Sequence, residues 1–436
     1  MKKINIFVIL LCFILLMSGC SNFRMAASID DLISPVSPSG DNAGVQNALD
    51  EYCKSGYSIK IPASGSYTTS FILKDIDNDS VNEAIAFYEP SNKMGTVSMS
   101  VLKKSGDKWT VYENIESAAT DVNSVDFCDL NNDGLEEIIV CWSVVSKTTG
   151  FKLNVYRQTT DDNGKYLIKN VSDSVTASDF ICVDMDSDGV KELMIFANGV
   201  SSEFPKAELY SYIDNKKNLL GRTKLDSTIT SFENITCGET DEGMSVYADA
   251  VRSDGSSMVT EFIYWSDYYN SIVSPFYSYS TSRTTETSRN SMIACRDIDA
   301  DGIIEIPTDA DFSKLPSGIE VQSWKTYGNT VLSHKCYSVS CKRDGYIIVI
   351  PNDMFKKISI EYDNDLRLFK VLDKKEKSTV FEILTVVKTN YNSEDSKYSG
   401  YEKIFDDSGF VYLARINPKS SIDIDTKTLE NMVKPY

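Results

Sequence analysis

Short apolar runs with alternating polar residues recur along most of the chain, and acidic loops of one design interrupt them. Each of four loops has acidic or amide residues at its first, third, fifth and ninth positions and runs directly into an apolar segment. The first positions lie 54, 55 and 113 residues apart, and the last interval is close to two further periods. The pattern therefore predicts a repeated supersecondary unit of about 55 residues.

The four loops are numbered here in chain order, and the residues of each loop by position one to nine. Positions one, three, five and nine are Asp75, Asp77, Asp79 and Glu83 in the first loop; Asp129, Asn131, Asp133 and Glu137 in the second; Asp184, Asp186, Asp188 and Glu192 in the third; and Asp297, Asp299, Asp301 and Glu305 in the fourth. Position six is glycine in the last three loops and Ser80 in the first.

Each unit consists of an apolar run, a loop, a second apolar run, a turn and two further alternating segments, which predicts the four short strands of a propeller blade. Between the third and fourth loops, residues 235–247 keep the flanking strand pattern but have Cys237 at position one and Ser245 at position nine. Counting this unit, we predict a mainly β chain with a β-propeller of about five four-stranded blades over residues 57–335. Less regular sequence leaves a sixth blade open.

The segments outside the repeats predict other elements. Residues 21–56 form a polar tether and then a short helix at 43–53, where Val45, Leu49 and Tyr52 recur at helical spacing. Residues 338–436 contain long alternating runs without an acidic loop of the repeat type, which predicts a small α+β domain with an antiparallel sheet. Asp425 is a suitable N-cap for a short helix near the end of that domain.

Residues 1–20 have the pattern of an export signal. Lys2 and Lys3 precede twelve apolar residues, and Ser18-Gly19-Cys20 follow. The apolar run is too short to cross a bilayer as a helix and is typical of a signal peptide. The residues around Cys20 resemble the lipobox of bacterial lipoproteins, whose cysteine carries the lipid. We therefore expect a lipid-anchored protein on the extracellular face of the bacterial cell membrane, with an ordinary secretory signal as the alternative.

Charge and cysteine content limit the partners and the covalent links. A formal net charge of −19 makes nucleic acid and anionic lipid headgroups poor partners. Cys128, Cys182 and Cys295 each lie just before an acidic loop, and we expect the repeat distance to keep them apart as buried thiols. Cys336 and Cys341 are close enough in sequence to form a disulfide, and the sequence leaves that pairing open.

The spacing of oxygen-bearing side chains in each loop is typical of a cation site. Side-chain oxygens at alternate positions of a tight turn surround one point, and oxygen ligands in that number suit a hard cation of the size of calcium. EF-hand loops need an acid at position twelve, where these loops have Ala86, Val140, Ile195 and Thr308. We predict about three to four structural Ca²⁺ sites, with the third and fourth loops the most complete and the first loop, which lacks the glycine, the least.

The repeated D-x-[DN]-x-D-G-x-x-E pattern between strands resembles the FG-GAP or VCBS-type repeats of bacterial surface proteins and of integrin α-subunit propellers. The resemblance covers roughly residues 70–310 and implies a propeller with calcium in a loop between two strands of each blade. Ser80 departs from the pattern, and so does glutamate at position nine, where integrin-like copies usually carry aspartate. The layout is also similar to that of uncharacterised surface lipoproteins of Gram-positive gut anaerobes, a likeness that implies no activity.

Candidate catalytic groups are few. His334 is the only histidine, for which we expect a surface or junction role, and the sequence has no nucleophile elbow, phosphate loop or Cys-x-x-Cys pair. Abundant acids leave two-carboxylate glycoside hydrolysis open. A group of aromatic residues would bind sugar rings if exposed, although strand packing is the plainer expectation. The group comprises Phe262, Tyr264, Trp265, Tyr268, Tyr269, Phe276, Tyr277 and Tyr279.

These patterns together predict a lipid-anchored extracellular binding or structural protein without catalysis, whose calcium-stabilised propeller binds a protein, glycan or cell-envelope component. The membrane is contacted through the lipid anchor only. The alternative is an extracellular polysaccharide hydrolase or lyase with acidic residues in the propeller channel. Two acids outside the loops, about 5–10 Å apart in a solvent-filled pocket, would favour the hydrolase or lyase alternative. The sequence names neither the ligand, the oligomeric state nor the role of the C-terminal domain.

Overall fold

The computed structural model describes residues 40–144, 150–160, 166–199, 204–213 and 216–436. Within these ranges the chain is mainly β, as predicted, and its strands form several antiparallel sheets. No helix in the described ranges is long and apolar enough to cross a membrane. The expected signal peptide, the lipidation site Cys20 and the tether up to residue 39 lie outside the described residues.

The predicted N-terminal helix is confirmed. Helix α1 (Asp41–Tyr52) buries Val45, Ala48 and Leu49, which recur on one face, and packs them near Trp109. Because these apolar positions repeat every three or four residues, the helix can cover the outer face of the first sheet.

Among the described residues, six antiparallel sheets of four or five strands follow one another, and in the first three an acidic loop joins two neighbouring strands. The first sheet contains β1 (Tyr57–Lys60), β2 (Ile72–Lys74), β3 (Glu83–Pro90), β4 (Val97–Ser105) and β5 (Lys108–Ser117). The second contains β6 (Asp121–Cys128), β7 (Glu137–Ser143), β8 (Phe151–Thr160), β9 (Tyr166–Asn170) and β10 (Val175–Ala177). The third contains β11 (Asp179–Val183), β12 (Glu192–Ala197), β13 (Lys206–Ser211) and β14 (Asn218–Lys224). Position nine of each of the first three loops is thus the first residue of the strand that follows, whereas Glu305 of the fourth loop directly precedes β21.

The remaining sheets include the C-terminal region. The fourth contains β15 (Ile229–Thr240), β16 (Gly243–Arg252), β17 (Met258–Ser266) and β18 (Ser271–Val273), and a hairpin of β19 (Tyr277–Ser278) and β20 (Arg283–Thr284) follows it. The fifth contains β21 (Ile306–Asp309), β22 (Ile319–Gly328), β23 (Val331–Cys341), β24 (Tyr346–Ile350) and β30 (Val433–Pro435). The sixth contains β25 (Ile358–Asp363), β26 (Leu368–Asp373), β27 (Thr379–Val387), β28 (Glu402–Asp406) and β29 (Phe410–Ile416).

Short helices accompany the last two sheets. Helix α2 (Asn352–Phe355) precedes β25, and helix α3 (Thr426–Met432) precedes β30, with 3₁₀ turns at Lys388–Asn390 and Ser396–Tyr398. The Asp425 carboxylate accepts a hydrogen bond from the backbone N–H of Thr428, which confirms the predicted N-cap. The fifth sheet also crosses the expected domain boundary, because β23 covers residues 335–338 and β24 pairs with it.

Successive sheets pack against each other in chain order. The core between the first and second sheets includes Phe87 and Trp142. The same arrangement recurs along the chain, with Val155 and Leu193 between the second and third sheets, Phe196 and Val246 between the third and fourth, Phe262 and Ile306 between the fourth and fifth, and Val339 and Phe369 between the fifth and sixth. Propeller blades pack in this sequential way, but a closed ring of five blades stays a prediction.

The unit that has Cys237 at position one and Ser245 at position nine keeps its strands. β15 and β16 pair from Ile229 and Arg252 down to Thr240 and Gly243, so a tight turn joins them where the other units have a nine-residue loop. The Asp241 carboxylate of that turn accepts the N–H of Asn329 in the next sheet. At the place where the other units have an acidic loop, this unit therefore makes a direct hydrogen bond to the next sheet.

The described cysteines are all free thiols, including Cys336 and Cys341. Cys128 and Cys182 pack into one core, so the repeat distance does not keep these two equivalent positions apart. The reason is the face-to-face packing of consecutive sheets, which brings equivalent positions of neighbouring units together.

Candidate metal sites in the acidic loops

One set of hydrogen bonds, from backbone N–H groups to side-chain carboxylates, forms all four acidic loops. The position-one carboxylate accepts the N–H of position six, at 2.9, 2.8, 3.1 and 2.7 Å in loops one to four. The position-five carboxylate accepts the N–H of position seven, at 2.8, 2.9, 2.8 and 3.0 Å. The position-nine carboxylate reaches back to the N–H of position two, at 3.2, 2.7, 2.8 and 2.9 Å. The four loops therefore share one hydrogen-bond pattern, whether or not each binds an ion.

The backbone of each loop needs two left-handed residues. Position six has φ of 70° to 89° in all four loops, which glycine adopts without strain. Ser80 adopts φ 70° at this position in the first loop, so the missing glycine does not prevent the turn. Position four is also left-handed in every loop. Together these residues curl the chain so that alternate side chains point inward.

The side chains of positions one, three and nine converge in three of the loops. In the first, third and fourth loops their nearest carboxylate oxygens lie within 4.8 Å of one another. The position-nine glutamates are buried, whereas the position-five aspartates are exposed and lie outside the converging groups. In the second loop the Asn131 amide donates to Asp133 at 2.7 Å. Positions one, three and nine are thus the inner positions, and position five mainly closes the turn.

The carboxylates of the third loop make no ion pair with the described residues. Asp184, Asp186 and Glu192 converge, and no basic side chain among the described residues lies within ion-pair distance of them. The Asp184 Oδ1 atom is buried and accepts no hydrogen bond. Burial, together with the neighbouring carboxylates, raises the pKa of Glu192 to about 7 and also raises the pKa of Asp186. Such a cluster of oxygen ligands with unneutralised charge fits a hard divalent cation.

The first and second loops each have a basic side chain at one edge. The Lys103 Nζ of β4 contacts Asp77 and lies 3.9 Å from Glu83. Arg157 of β8 pairs through Nε with Glu137 and donates through Nη2 to the backbone oxygen of Tyr212 at 2.9 Å. In the first loop, Oδ1 of both Asp75 and Asp77 is buried without a hydrogen bond, so two acceptor atoms of this loop remain unsatisfied.

The fourth loop already contains a cation. The Lys335 Nζ lies 2.9 Å from Asp299, 2.6 Å from Asp301 and 2.6 Å from Glu305. Glu305 is fully buried, and the lysine side chain is 21 % exposed. Burial lowers the pKa of Lys335, but the hydrogen bonds to the three carboxylates outweigh it, so the pKa lies above the ordinary value. Asp297, Asp299 and Glu305 converge in this loop as well, and Lys335 contacts two of these three carboxylates, Asp299 and Glu305.

The register of the sheet determines whether a lysine or arginine lies beside the glutamate of a loop. Ala84 pairs with Leu102 and Ile138 with Tyr156, so the next residues, Lys103 and Arg157, stand beside the loop glutamates. In the third sheet Leu193 pairs with Tyr210, and the next residue is Ser211. Sequence reasoning missed the three bases, although one signal was present: Lys103 and Arg157 each follow their loop glutamate by 20 residues.

His334 lies at the surface of the fifth sheet, as predicted. Its Nδ1 is 2.8 Å from the Ser323 hydroxyl, and its Nε2 is 2.8 Å from Oδ1 of Asn352. Asn352 Nδ2 donates to the backbone oxygen of Lys335 at 2.8 Å, which fixes the orientation of the amide. The Asn352 oxygen therefore accepts the Nε2–H of the histidine, and the set ties β22, β23 and α2 together.

Packing explains most of the aromatic group. Phe262, Phe276 and Tyr277 are buried, and Phe262 packs 4.2 Å from the ring of Tyr327. Three tyrosines of the group are strongly exposed, with exposed fractions of 88 % for Tyr268, 68 % for Tyr269 and 76 % for Tyr279. They lie at strand ends and turns, and we assign them no ligand.

Buried acids outside the loops already have partners. Asp249 pairs with Arg289 at 2.7 Å, and Asp226 pairs with Arg252 at 2.8 Å. Glu261 accepts hydrogen bonds from the backbone N–H of Asp226 at 2.7 Å and from Thr284 at 3.1 Å, and burial raises its pKa to about 7. None of the three lines a described cleft.

One surface cleft in the C-terminal region does contain two acids. It has a volume of about 580 Å³ and is lined by Glu361 and Asp363 of β25 together with Leu315 and Lys370. Alternate residues of a strand lie on one face roughly 7 Å apart. Both carboxylates are exposed to solvent, so neither is desolvated in the way that the general acid of a glycosidase is. The pair of acids that the enzyme alternative requires in a channel of the repeats does not line the two clefts described there, which contain one acid each, Asp173 and Glu116.

Comparisons with known proteins identify no family. The chain matches no protein-family model and no curated protein sequence. Solved structures that are similar to it include rhamnogalacturonan lyase YesW, at 15% identity and a TM-score of 0.34 over 74% of this chain and 64% of that one. Another is the exotype rhamnogalacturonan lyase YesX, at 12% identity and a TM-score of 0.25 over 68% and 71%. The chain thus spans less than two thirds of YesW, and similarity at this level carries no argument about fold or activity.

Proposed function

We propose that this chain is a lipid-anchored surface protein whose acidic repeats form a calcium-braced β-propeller, and that it acts as a binding or structural module without catalysis. The third loop carries the proposal, because three carboxylates converge within 4.8 Å and no described basic side chain neutralises them. A bound Ca²⁺ would supply the missing positive charge and a rigid link between the strands. Asp184, Asp186 and Glu192 would hold it, and they join the end of β11 to the start of β12.

Two further observations support a scaffold role. The unit without acids at positions one and nine keeps its four strands, so the complete loop is dispensable for the strand pattern and acts as a brace. Consecutive sheets bury apolar faces against each other, as blades of a propeller do. The partner on the exposed surfaces would be a protein, a glycan or an envelope component.

The expected surface location rests on Cys20, the proposed lipid attachment site at the end of the export signal. Fractionation of cells that carry Cys20→Ser tests the anchor, because loss of the lipid should release the protein from the membrane fraction.

The calcium brace is tested by thermal unfolding in chelator and in calcium. If the sites bind with dissociation constants of roughly 0.1–1 mM, then about 5–10 mM calcium stabilises the fold by on the order of 1 kcal/mol per site. We expect the melting temperature to rise by a few degrees in calcium and to change less in magnesium, which is smaller and holds its water more strongly. A melting temperature that is the same in chelator and in calcium contradicts the proposal.

A further inference from the structure

The fourth loop differs from the other complete loop in a way that its own sequence does not reveal. Its residues at positions one, three, five, six and nine match those of the third loop in type. The sheet beside it nevertheless delivers an ammonium group to three of its four carboxylates. Since an ammonium group has three N–H donors, each donor of Lys335 has a carboxylate partner.

The position of Lys335 is built into the fifth sheet. Trp324 pairs with Cys336 and Lys325 pairs with His334, so Lys335 is the extra residue of a β-bulge. A bulge turns the side chain of the extra residue away from the regular alternation of the strand. The Asn352 amide holds the backbone oxygen of Lys335 at 2.8 Å and also holds His334 at 2.8 Å. Asn352 of α2 thus fixes both His334 and Lys335 at the bulge, and the lysine side chain extends to the loop carboxylates.

We propose that Lys335 is a tethered counter-ion that takes the place of a metal ion in the fourth loop, so that of the two loops with a complete ligand sequence only the third binds free calcium. The proposal rests on the proposed calcium brace for its account of the third loop, but not for the role of Lys335. A calcium ion held by Asp299 and Glu305 at about 2.3–2.6 Å would face the ammonium at close range. Like charges repel strongly at such separations inside a protein, so one cation excludes the other.

The test compares Lys335→Met with Lys325→Met in the full chain. Lys325 lies in the adjacent strand, is half-buried like Lys335, and makes no ion pair with the described residues, so it is a matched control. In chelator we expect K335M to melt roughly 5–10 °C below the wild type and K325M to melt close to it. In calcium we expect K335M to recover and to bind one more calcium ion than the wild type by equilibrium dialysis.

A second variant keeps the comparison decisive if K335M does not fold. Asp299→Asn retains the lysine, so it should bind as many calcium ions as the wild type. The proposal is overturned if D299N loses one bound calcium, or if K335M and K325M melt at the same temperature in chelator. If the wild type binds no calcium at all, the proposed brace fails, and the comparison in chelator still decides the role of Lys335.

Discussion

The third and fourth acidic loops have the same ligand residues on the same backbone conformation, yet the charges of their carboxylates are balanced differently. In the third, Asp184, Asp186 and Glu192 face each other with no described base nearby. In the fourth, Lys335 contacts three carboxylates. A buried carboxylate needs a positive partner or a proton, because an isolated charge is costly in a low-dielectric interior. The comparison shows that the repeat residues create a negative charge that needs a cation. The residues of the neighbouring strands determine whether a basic side chain supplies that cation.

The largest expected effect distinguishes the buried position-nine glutamates of the third and fourth loops, Glu192 and Glu305. Glu305→Gln keeps an acceptor for the N–H of Ile298 but leaves Lys335 with two partly exposed carboxylates. We expect it to lower the free energy of unfolding by about 2–3 kcal/mol, since Lys335 loses its one fully buried charged acceptor and hydrogen bonds to charged groups contribute about 1.5–3 kcal/mol. The matched change Glu192→Gln removes a buried charge that has no partner among the described residues, so in chelator it should be neutral or mildly stabilising.

Urea denaturation of both variants, in chelator and in calcium, measures this contrast. E305Q should be weakened equally in both conditions, and E192Q should lose the stabilisation that calcium gives the wild type. Equal losses for the two variants in chelator would show that the third loop has a counter-ion after all.

A third buried glutamate sharpens the comparison, because it has neither a metal site nor a lysine. Glu261 accepts hydrogen bonds from the N–H of Asp226, from Thr284 and from Ser274, and the nearby Asp226 is itself paired with Arg252. Burial raises its pKa to about 7. Because the folded pKa lies above the unfolded value near 4.3, this group stabilises the fold below about pH 4.3, and the contribution is lost as the pH rises through 7.

The measurement is the free energy of unfolding of the wild type and Glu261→Gln across pH 5 to 8. The wild type should lose about 2 kcal/mol relative to E261Q over this range, since one pKa unit corresponds to about 1.4 kcal/mol. The pKa of Asp226 lies below the ordinary value, so this carboxyl stays ionised from pH 5 to 8 and should not contribute to the pH-dependent change in the free energy of unfolding. A difference between the two proteins that does not change with pH would mean that Glu261 remains ionised in the fold.

The sequence predicted the local parts of the fold and of the site, and missed the parts that depend on register. The spacing of Asp184, Asp186 and Glu192 is local, so the loop and the strand after it follow from the sequence. Helix α1 and the cap at Asp425 are local as well. Lys335 lies 30 residues from Glu305 and reaches it only through a bulge, which no spacing rule reveals. The expectation that the third and fourth loops are equivalent metal sites could therefore not have been refined without the sheets.

The smallest expected effect comes from moving the counter-ion into the third loop. Ser211 follows Tyr210, the partner of Leu193, and so occupies the position that Lys103 has in the first sheet. Ser211→Lys should place an ammonium group beside Glu192, raise the free energy of unfolding in chelator by about 1 kcal/mol, and reduce the calcium-dependent shift. Ser211→Ala is the control, because it removes the hydroxyl and adds no charge, so its calcium response should equal that of the wild type. Should S211K respond to calcium as the wild type does, the source of the cation is not set by the residue beside the loop glutamate, and the difference between the third and fourth loops needs another cause.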